Sequence, residues 1–258
     1  MASRLIGDLT FQDISRLRPA SVVCLPLGST EQHGPHLPLN TDTILAETFT
    51  RAIVERWGEQ YDLWQLPAVP VGLSREHAWA PGTLSLSVQT MTALLRDLGG
   101  EIARALPARN LLIVNSHGGN RGILEALAHE LRGDFGLNVC AIHTGALMSA
   151  PSQAGMPEIH AGKDETSVML ALAPDLVRRD RIGALKGAAD PKAVRSVILD
   201  PAVTWPWSSD DARIAEQGVI GDPHGASAEH GKAIIARVVE AAGGVLARLL
   251  ENSKPLRS

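Results

Sequence analysis

Three short polar clusters contain the residue types that bind metals and transfer protons. The first lies in residues 28–42 and includes Glu31, His33 and Asp42. Glu31 and His33 are two positions apart on an extended loop, so their side chains point the same way. Carboxylates and imidazoles together suit zinc, manganese or iron better than calcium or copper(I), and a carboxylate such as Asp42 can bridge two ions. This cluster therefore predicts a metal site.

The other two clusters come later in the chain and offer the same residue types. Residues 115–120 place His117 between an apolar run and two glycines, and residues 160–167 contain His160 and Glu165. Clusters of ligand types beside several different elements favour one shared site over unrelated surface groups.

Each of these residues also has a simpler structural explanation when it is taken alone. Asp42 or Thr41 can cap a helix, and Glu165 can offset the dipole at a helix start. His117 can be a core histidine that bonds a main-chain carbonyl. The two glycines after it would also fit a phosphate-binding turn, although neither a GxGxxG nor a Walker pattern is present there.

Apolar runs that alternate with helix-period segments must position these clusters. In chain order they predict strand 21–27, helix 43–57, strand 66–71, helix 88–106, strand 111–114, helix 122–131, strand 138–143, helix 165–172 and helix 227–250. This alternation predicts a three-layer α/β/α sandwich with a mostly parallel central sheet, as a single domain over 1–258. Ligands bind at the carboxyl ends of such strands, which is where the first two clusters fall.

Residues 181–223 show no pattern of strand or helix, and a stretch this long in a compact domain usually carries function or an interface. The segment 205–207, with two tryptophans, either roofs a substrate pocket or packs against another subunit.

Composition narrows the class of protein further. The chain has 45% hydrophobic and 20% charged residues and a net charge of -4, which argues against a nucleic-acid partner. No run reaches the roughly 18 apolar residues of a membrane helix, and the N-terminus has no signal-peptide pattern. Two cysteines in apolar runs predict reduced core thiols rather than a disulfide framework. We therefore expect a cytoplasmic protein without a membrane partner.

The clusters resemble the creatininase family of metal-dependent amidohydrolases, and they appear in that family's order. The matching segments are 28–42, 76–84, 115–120, 160–167 and 218–223, so the resemblance spans nearly the whole chain. Creatininases that act on creatinine carry Tyr-Glu where this chain has Gly118 and Gly119, and Trp-Asp shortly before the third cluster, near Met156 and Glu158. This Gly-Gly variant is more similar to the deformylase and mycofactocin peptidase-like branches.

The resemblance implies a two-metal site, with two divalent ions per subunit, and assigns roles to residues. The ions are expected to be zinc, with manganese or iron as alternatives. The implied ligands are Glu31, His33, Asp42 as the bridge, His117 and Glu165. His160, with Glu165, would be catalytic and would protonate the leaving nitrogen. The implied substrate contacts are Ser29, His36, Glu76, His77, Gly118, Gly119 and Asn120.

The implied activity is cleavage of a C–N bond in an amide or cyclic amide of a small molecule by a metal-activated hydroxide. The alternatives are a site-specific metallopeptidase of a small peptide and, less favoured, a creatinine amidohydrolase. A metal-binding scaffold without catalysis is disfavoured because no ligand is missing, and a phosphoesterase because the clusters lack basic groups. The resemblance also implies a homo-oligomer, a hexamer.

Overall fold

Short runs of branched apolar residues form a four-stranded parallel sheet with the order β2-β1-β3-β4. The computed structural model describes residues 3–148, 156–187 and 189–253. The strands are β1 (Val22–Leu27), β2 (Leu63–Gln65), β3 (Asn110–Asn115) and β4 (Asn138–His143). The first and third strands are central and pair along their whole lengths, from Val22 with Asn110 to Leu27 with Asn115. Both are buried at every position, as expected of parallel strands covered on both faces.

Helices connect the strands, and further helices come after the last strand in the sequence. They are α1 (Thr41–Tyr61), α2 (Val88–Ala105), α3 (Arg121–Phe135), α4 (Thr144–Met148), α5 (Lys163–Leu172), α6 (Arg179–Ile182), α7 (Pro191–Val197) and α8 (Ala228–Asn252). Serines cap two of the long helices. Ser87 accepts a hydrogen bond from the Thr90 amide at the start of α2, and Ser227 accepts one from the His230 amide at the start of α8.

Two hydrophobic clusters cover the two faces of the sheet and establish the three-layer α/β/α sandwich. Successive strand residues alternate between them: Val22 and Cys24 of β1 pack with α1, α5 and α8, whereas Val23 and Leu25 pack with α2 and α3. Burying each large aliphatic side chain contributes about 1.5–3 kcal/mol. The predicted fold class is therefore confirmed.

One predicted strand is wrong. Residues 66–71 form an irregular segment, and the edge strand β2 lies immediately before it. Pro67 and Pro70 have no N–H to donate to a neighbouring strand, so the segment cannot continue the ladder. It stays beside β1 through separate backbone bonds: the Leu66 amide donates to the Cys24 carbonyl at 2.9 Å, and the Val69 amide donates to the Pro26 carbonyl at 3.0 Å.

The predicted capping of α1 is also wrong, because the helix begins earlier than position 43. Asn40 occupies the N-cap position, and both Thr41 and Asp42 lie inside the first turn. Thr41 donates its hydroxyl to the Pro38 carbonyl at 2.7 Å. The carboxylate of Asp42 is therefore not used as a cap, and it lies beside His33 of the loop before the helix and His117 of the turn after β3.

Residues 181–223 contain more structure than their composition predicted. Asp190 caps α7 by accepting from the Lys192 amide, and Pro191 occupies the first turn of that helix. Val194, Ile214 and Ile220 form a separate small hydrophobic cluster. Both cysteines are free, and none of the helices among the described residues is long and apolar enough to cross a membrane.

Candidate metal centre

The carboxyl edge of the sheet gathers the side chains of all three polar clusters. The loop after β1 carries Glu31 and His33, the turn after β3 carries His117, and the first turns of α1 and α5 carry Asp42 and Glu165. Helix N-termini favour negative charge, so the two carboxylates at these first turns are well placed.

A glycine allows α1 to approach the end of β1 closely. A Cβ atom at Gly28 would lie 2.6 Å from the backbone nitrogen and Cα of Thr43, a distance that no side chain tolerates. Because the loop folds back at this point, Asp42 comes to lie beside His33, which precedes it by nine residues. The Glu31 amide fixes the return of the loop by donating to the Leu39 carbonyl at 2.9 Å.

The two oxygens of Asp42 face two different groups of candidate ligands. Oδ2 lies 3.1 Å from Nδ1 of His117, which is also 3.1 Å from Oε2 of Glu31. Oδ1 lies 3.2 Å from Nε2 of His33, which is 4.0 Å from Oε2 of Glu165. Glu31, Asp42 and His117 offer ligand atoms within 4.8 Å of one another. The carboxylate of Asp42 thus connects two adjacent groups.

Glu165 is held in place by an unusual backbone conformation. Ala161 has a φ of +55°, a region that non-glycine residues seldom adopt. In this conformation its amide donates to Oε2 of Glu165 at 2.6 Å. Strained backbone of this kind persists where the surroundings enforce it, commonly at functional sites.

The electrostatics of the centre are dominated by buried carboxylates beside histidines. Burial alone would raise the pKa of Glu31, but His117 outweighs it and lowers that pKa to about 2. Burial would lower the pKa of His33, yet the Asp42 carboxylate raises it to about 9. Burial raises the pKa of Glu165 to about 7. The carboxylates also raise the pKa of His117 well above its usual value, so His33 and His117 hold protons unless cations replace them, since metals compete with protons for the same atoms.

The donor set fits divalent cations. Both side-chain oxygens of Glu31 and Oδ2 of Asp42 are buried, and none makes a well-aligned hydrogen bond within the described part of the chain, although Nδ1 of His117 lies 3.1 Å from Oε2 and Oδ2. Leaving a buried charged acceptor unpaired costs about 1–3 kcal/mol or more. A cation in each group would satisfy these oxygens, and mixed imidazole and carboxylate ligands are those that zinc, manganese and iron accept.

His160 lies between the two groups. Its Nδ1 is 3.6 Å from Oε1 of Glu31, and its Nε2 is 2.7 Å from the Gln32 carbonyl. Because a carbonyl only accepts, Nε2 carries the proton and Nδ1 presents its lone pair toward the carboxylates. Burial, and then His77 and His33, lowers the pKa of His160 well below its usual value. The ring is therefore neutral, and it stacks on His77 with 4.1 Å between centroids.

The predicted substrate contacts are distributed around the centre rather than along one wall. His36 bonds Thr166 at 2.9 Å, Ser29 is buried, and His77 has its Nε2 3.5 Å from Oε1 of Glu31. Glu76 lies 3.6 Å from Nε2 of His117. Their roles remain predictions, as do those of Gly118, Gly119 and Asn120, which form the turn after β3.

Sequence reasoning missed two contributors to the site, Gln32 and Ser209. Gln32 places its amide nitrogen within 3.3 Å of His77, His160 and Ser209. Ser209, from the region without a sequence pattern, lies 2.7 Å from Nδ1 of His77. The signal for Gln32 was its position between two ligands, whereas no local pattern marks Ser209. Trp207 packs edge-on against His77, with centroids 5.9 Å apart.

A cavity of about 710 Å³ opens beside the centre. His117, His160 and Glu165 form one part of its wall, together with Gly118. Met148 and Leu199 add apolar surface, and the cavity is within the range of about 300–1,000 Å³ that small-molecule sites occupy.

Comparison with known proteins agrees with this geometry. Residues 7–246 match the profile of the creatininase family, described as creatinine amidohydrolase. Fold and profile together define a hydrolase with a three-layer α/β/α architecture. The chain is 36% identical over 244 residues to a mycofactocin precursor peptide peptidase of Mycobacterium tuberculosis (strain CDC 1551 / Oshkosh), covering 91% of this chain and 87% of that protein. The chain therefore belongs to the creatininase family.

Other relatives support the same assignment. A creatinine amidohydrolase of Pseudomonas putida is 31% identical over 260 residues, covering 90% of this chain and 92% of that protein. Among solved structures, a manganese creatininase has a TM-score of 0.76 and 27% identity, covering 98% of this chain and all of that one. A zinc–zinc form of a creatininase variant has a TM-score of 0.75 and 26% identity, covering 99% and 100%. The resemblance noted from the motifs is confirmed, and the mycofactocin peptidase branch fits.

Proposed function

We propose that the chain hydrolyses an amide C–N bond at a centre that holds two divalent cations. The observation that carries this proposal is the position of Asp42, whose two oxygens face separate groups. One group would hold a cation with Glu31 and His117, and the other with His33 and Glu165. The unpaired buried oxygens of Glu31 and Asp42 support this assignment. Zinc is the expected ion, with manganese or iron as alternatives.

The chain's own residues then perform the proton transfers. When bound, the cations polarise the carbonyl group and lower the pKa of a water molecule. Neutral His160 takes a proton from that water at Nδ1 as the oxygen attacks the carbonyl carbon. It then delivers the proton to the nitrogen as the C–N bond breaks. The Gln32 carbonyl, bonded to Nε2 at 2.7 Å, keeps the ring in the orientation and tautomer that this requires.

The substrate that the site favours is a short peptide rather than a small cyclic amide. The cavity is large enough for several residues of a peptide, and Gly118 leaves its wall open because a Cβ there would meet no atom within 4 Å. Relatives named for a precursor peptide peptidase are 36% identical to the chain. A cyclic amide is the second candidate, supported by the relative named creatinine amidohydrolase at 31% identity. A homo-hexamer is a further proposal from the family resemblance, and a cytoplasmic location is a further proposal from the composition.

The test compares metal content and turnover in the parent and two histidine variants. We expect about two equivalents of metal per chain after reconstitution. His160→Ala should retain both and lose turnover of a short peptide amide by about 10²–10⁴-fold. The control is His129→Ala, which removes an exposed histidine on α3. Retained turnover in His160→Ala would refute the proton-transfer role, and loss of a cation would make His160 a ligand instead.

A panel of substrates tests the class of bond. Short peptides, formamides, hydantoins and creatinine are assayed with the same reconstituted protein. Turnover confined to the cyclic compounds would contradict the peptide proposal and leave amide hydrolysis standing. A protein that binds two cations and cleaves none of these amides would contradict the proposed activity itself.

A further inference from the structure

We propose that Gly119 is a positioning residue, which lets the main-chain carbonyl of Leu73 fix the ring of His117 for cation binding. This inference rests on the proposed function only in taking His117 as a ligand. Neither Gly119 nor the Leu73 carbonyl would bind a cation directly.

The Leu73 carbonyl determines which nitrogen of His117 faces the carboxylates. Nε2 lies 2.6 Å from this oxygen, while Nδ1 lies 3.1 Å from both Glu31 and Asp42. Because the carbonyl can only accept, the hydrogen bond keeps a proton on Nε2 and leaves the lone pair of Nδ1 for a cation. Such an outer partner fixes both the tautomer and the ring orientation of a metal-binding histidine.

Gly119 is required for this contact because no side chain fits at its position. A Cβ there would lie 2.2 Å from the Leu73 oxygen, 2.5 Å from Nε2 of His117 and 2.6 Å from Oε1 of Glu76. It would therefore clash with the donor and with the acceptor of the same hydrogen bond. The preceding Gly118 differs sharply, since a Cβ at that position would meet nothing within 4 Å.

Asn120 holds the backbone amide of Leu73 in place from the same turn. Its Oδ1 accepts from the Leu73 amide at 2.9 Å, and its Nδ2 donates to the Gly28 carbonyl at 3.2 Å. Nδ2 also donates to Oδ1 of Asn115 at 3.1 Å. Leu73 is thus tied through its amide to the ends of both central strands. The peptide unit that carries its carbonyl is held separately, because the Ser74 amide donates to Oγ of Ser85 at 2.9 Å. The carbonyl is therefore expected to resist displacement when a side chain is added.

The experiment compares Gly119→Ala with its neighbour Gly118→Ala by competition of Zn²⁺ binding against a chelator. Gly119→Ala should lower the affinity for one of the two cations by about 10–100-fold and leave the affinity for the other at the parent value. Gly118→Ala should bind both as the parent does. The zinc-loaded parent should also show a slowly exchanging imidazole N–H proton for Nε2 of His117 by NMR, which Gly119→Ala should lose.

Three results would overturn the proposal. The first is a parent-like affinity for both cations in Gly119→Ala. The second is an equal loss of affinity for both cations in that variant. The third is the same loss of affinity in Gly118→Ala. If Gly119→Ala does not fold, Asn120→Ala decides the question, because it releases the Leu73 amide, and with it the residue whose carbonyl contacts His117, without adding bulk. That variant should lower the affinity for the same single cation, and an unchanged affinity would reject the inference. A parent that binds fewer than two cations would instead contradict the proposed function.

Discussion

The two edges of the parallel sheet treat their buried polar groups in opposite ways. At the amino edge, Asn110 donates to the carbonyls of Pro19, Ala20 and Ser21 at 3.2–3.4 Å, and its own oxygen accepts from Asn138 at 3.0 Å. At the carboxyl edge, both side-chain oxygens of Glu31 and Oδ2 of Asp42 make no well-aligned hydrogen bond among the described residues. The amino edge therefore satisfies its buried polar groups with other groups of the protein, and the carboxyl edge does so only in part.

The contrast identifies what each edge is for. Hydrogen bonds to charged groups contribute about 1.5–3 kcal/mol each when both partners are protein groups. The amino edge obtains this stabilisation from within the chain, for example where Asp62 accepts from Arg4, Arg18 and Trp64 at 3.1–3.3 Å. At the carboxyl edge, Asp42 and Glu165 each use one oxygen in such a bond, with His33 and with the Ala161 amide. Both oxygens of Glu31 and Oδ2 of Asp42 would obtain this stabilisation from a bound cation. The same substitution at the two edges should therefore have different consequences.

Replacing Asp42 by Asn should produce the largest effect, because one residue connects both ligand groups. We expect loss of both cations and, since the polarisation that they supply is worth several kcal/mol, a fall in kcat of about 10³-fold or more. Metal analysis and an amide hydrolysis assay measure the two quantities. Asp62→Asn at the amino edge is the matched control and should keep full metal content. Two bound cations in the Asp42 variant would show that the edges do not differ in this way.

Removing the cations from the parent protein should lower its free energy of unfolding, because the cations would be bound at the carboxyl edge of the folded protein. A ligand that binds only the folded protein stabilises it by about 2.7 kcal/mol at 100 times its Kd, which is about 5–10 °C in Tm for a chain of this length. Thermal unfolding with chelator and with added zinc or manganese measures this difference. Asp42→Asn, lacking the bridge, should show no shift, and an equal shift in that variant would contradict the assignment.

Sequence patterns predicted the carboxyl edge well because its chemistry is local. Continuous apolar runs marked β1 and β3, and polar residues directly after them marked Glu31, His33 and His117. A bridging role for Asp42 was already suggested by the residue types, whereas the roles of the individual ligands, Glu165 among them, came from the family resemblance. The structure supplies the distances that periodicity could not.

The rest depends on contacts between distant parts of the chain. The edge strand Leu63–Gln65 is too short to give a periodic pattern. Ser209 reaches His77 across 132 positions, and the Leu73 carbonyl reaches His117 across 44. Main-chain oxygens have no sequence signature at all, so that their roles emerge only from the folded structure.

Asp62→Asn gives the smallest predicted effect and tests the amino edge directly. Asp62 follows α1 with a φ of +50°, a conformation that Asn also accepts, so that the substitution removes mainly charge. Burial would raise the pKa of Asp62, but hydrogen bonds from Ser21, Arg18, Trp64 and Arg4 lower it. A lowered folded pKa means that ionised Asp62 stabilises the protein above its unfolded pKa of about 3.9.

The contribution of Asp62 should therefore be present at neutral pH and decline as pH falls through about 4 toward the folded pKa. We expect Asp62→Asn to lower the free energy of unfolding by about 1–2 kcal/mol at pH 7, and by less at pH 4. Urea unfolding of the metal-free protein at pH 7, 5 and 4, in the presence of a chelator, measures this difference. The control is Asp97→Asn, which changes an exposed aspartate. A difference that grows on acidification would mean that the carboxylate is not stabilised by its partners, and the amino edge would then resemble the carboxyl edge in carrying uncompensated charge.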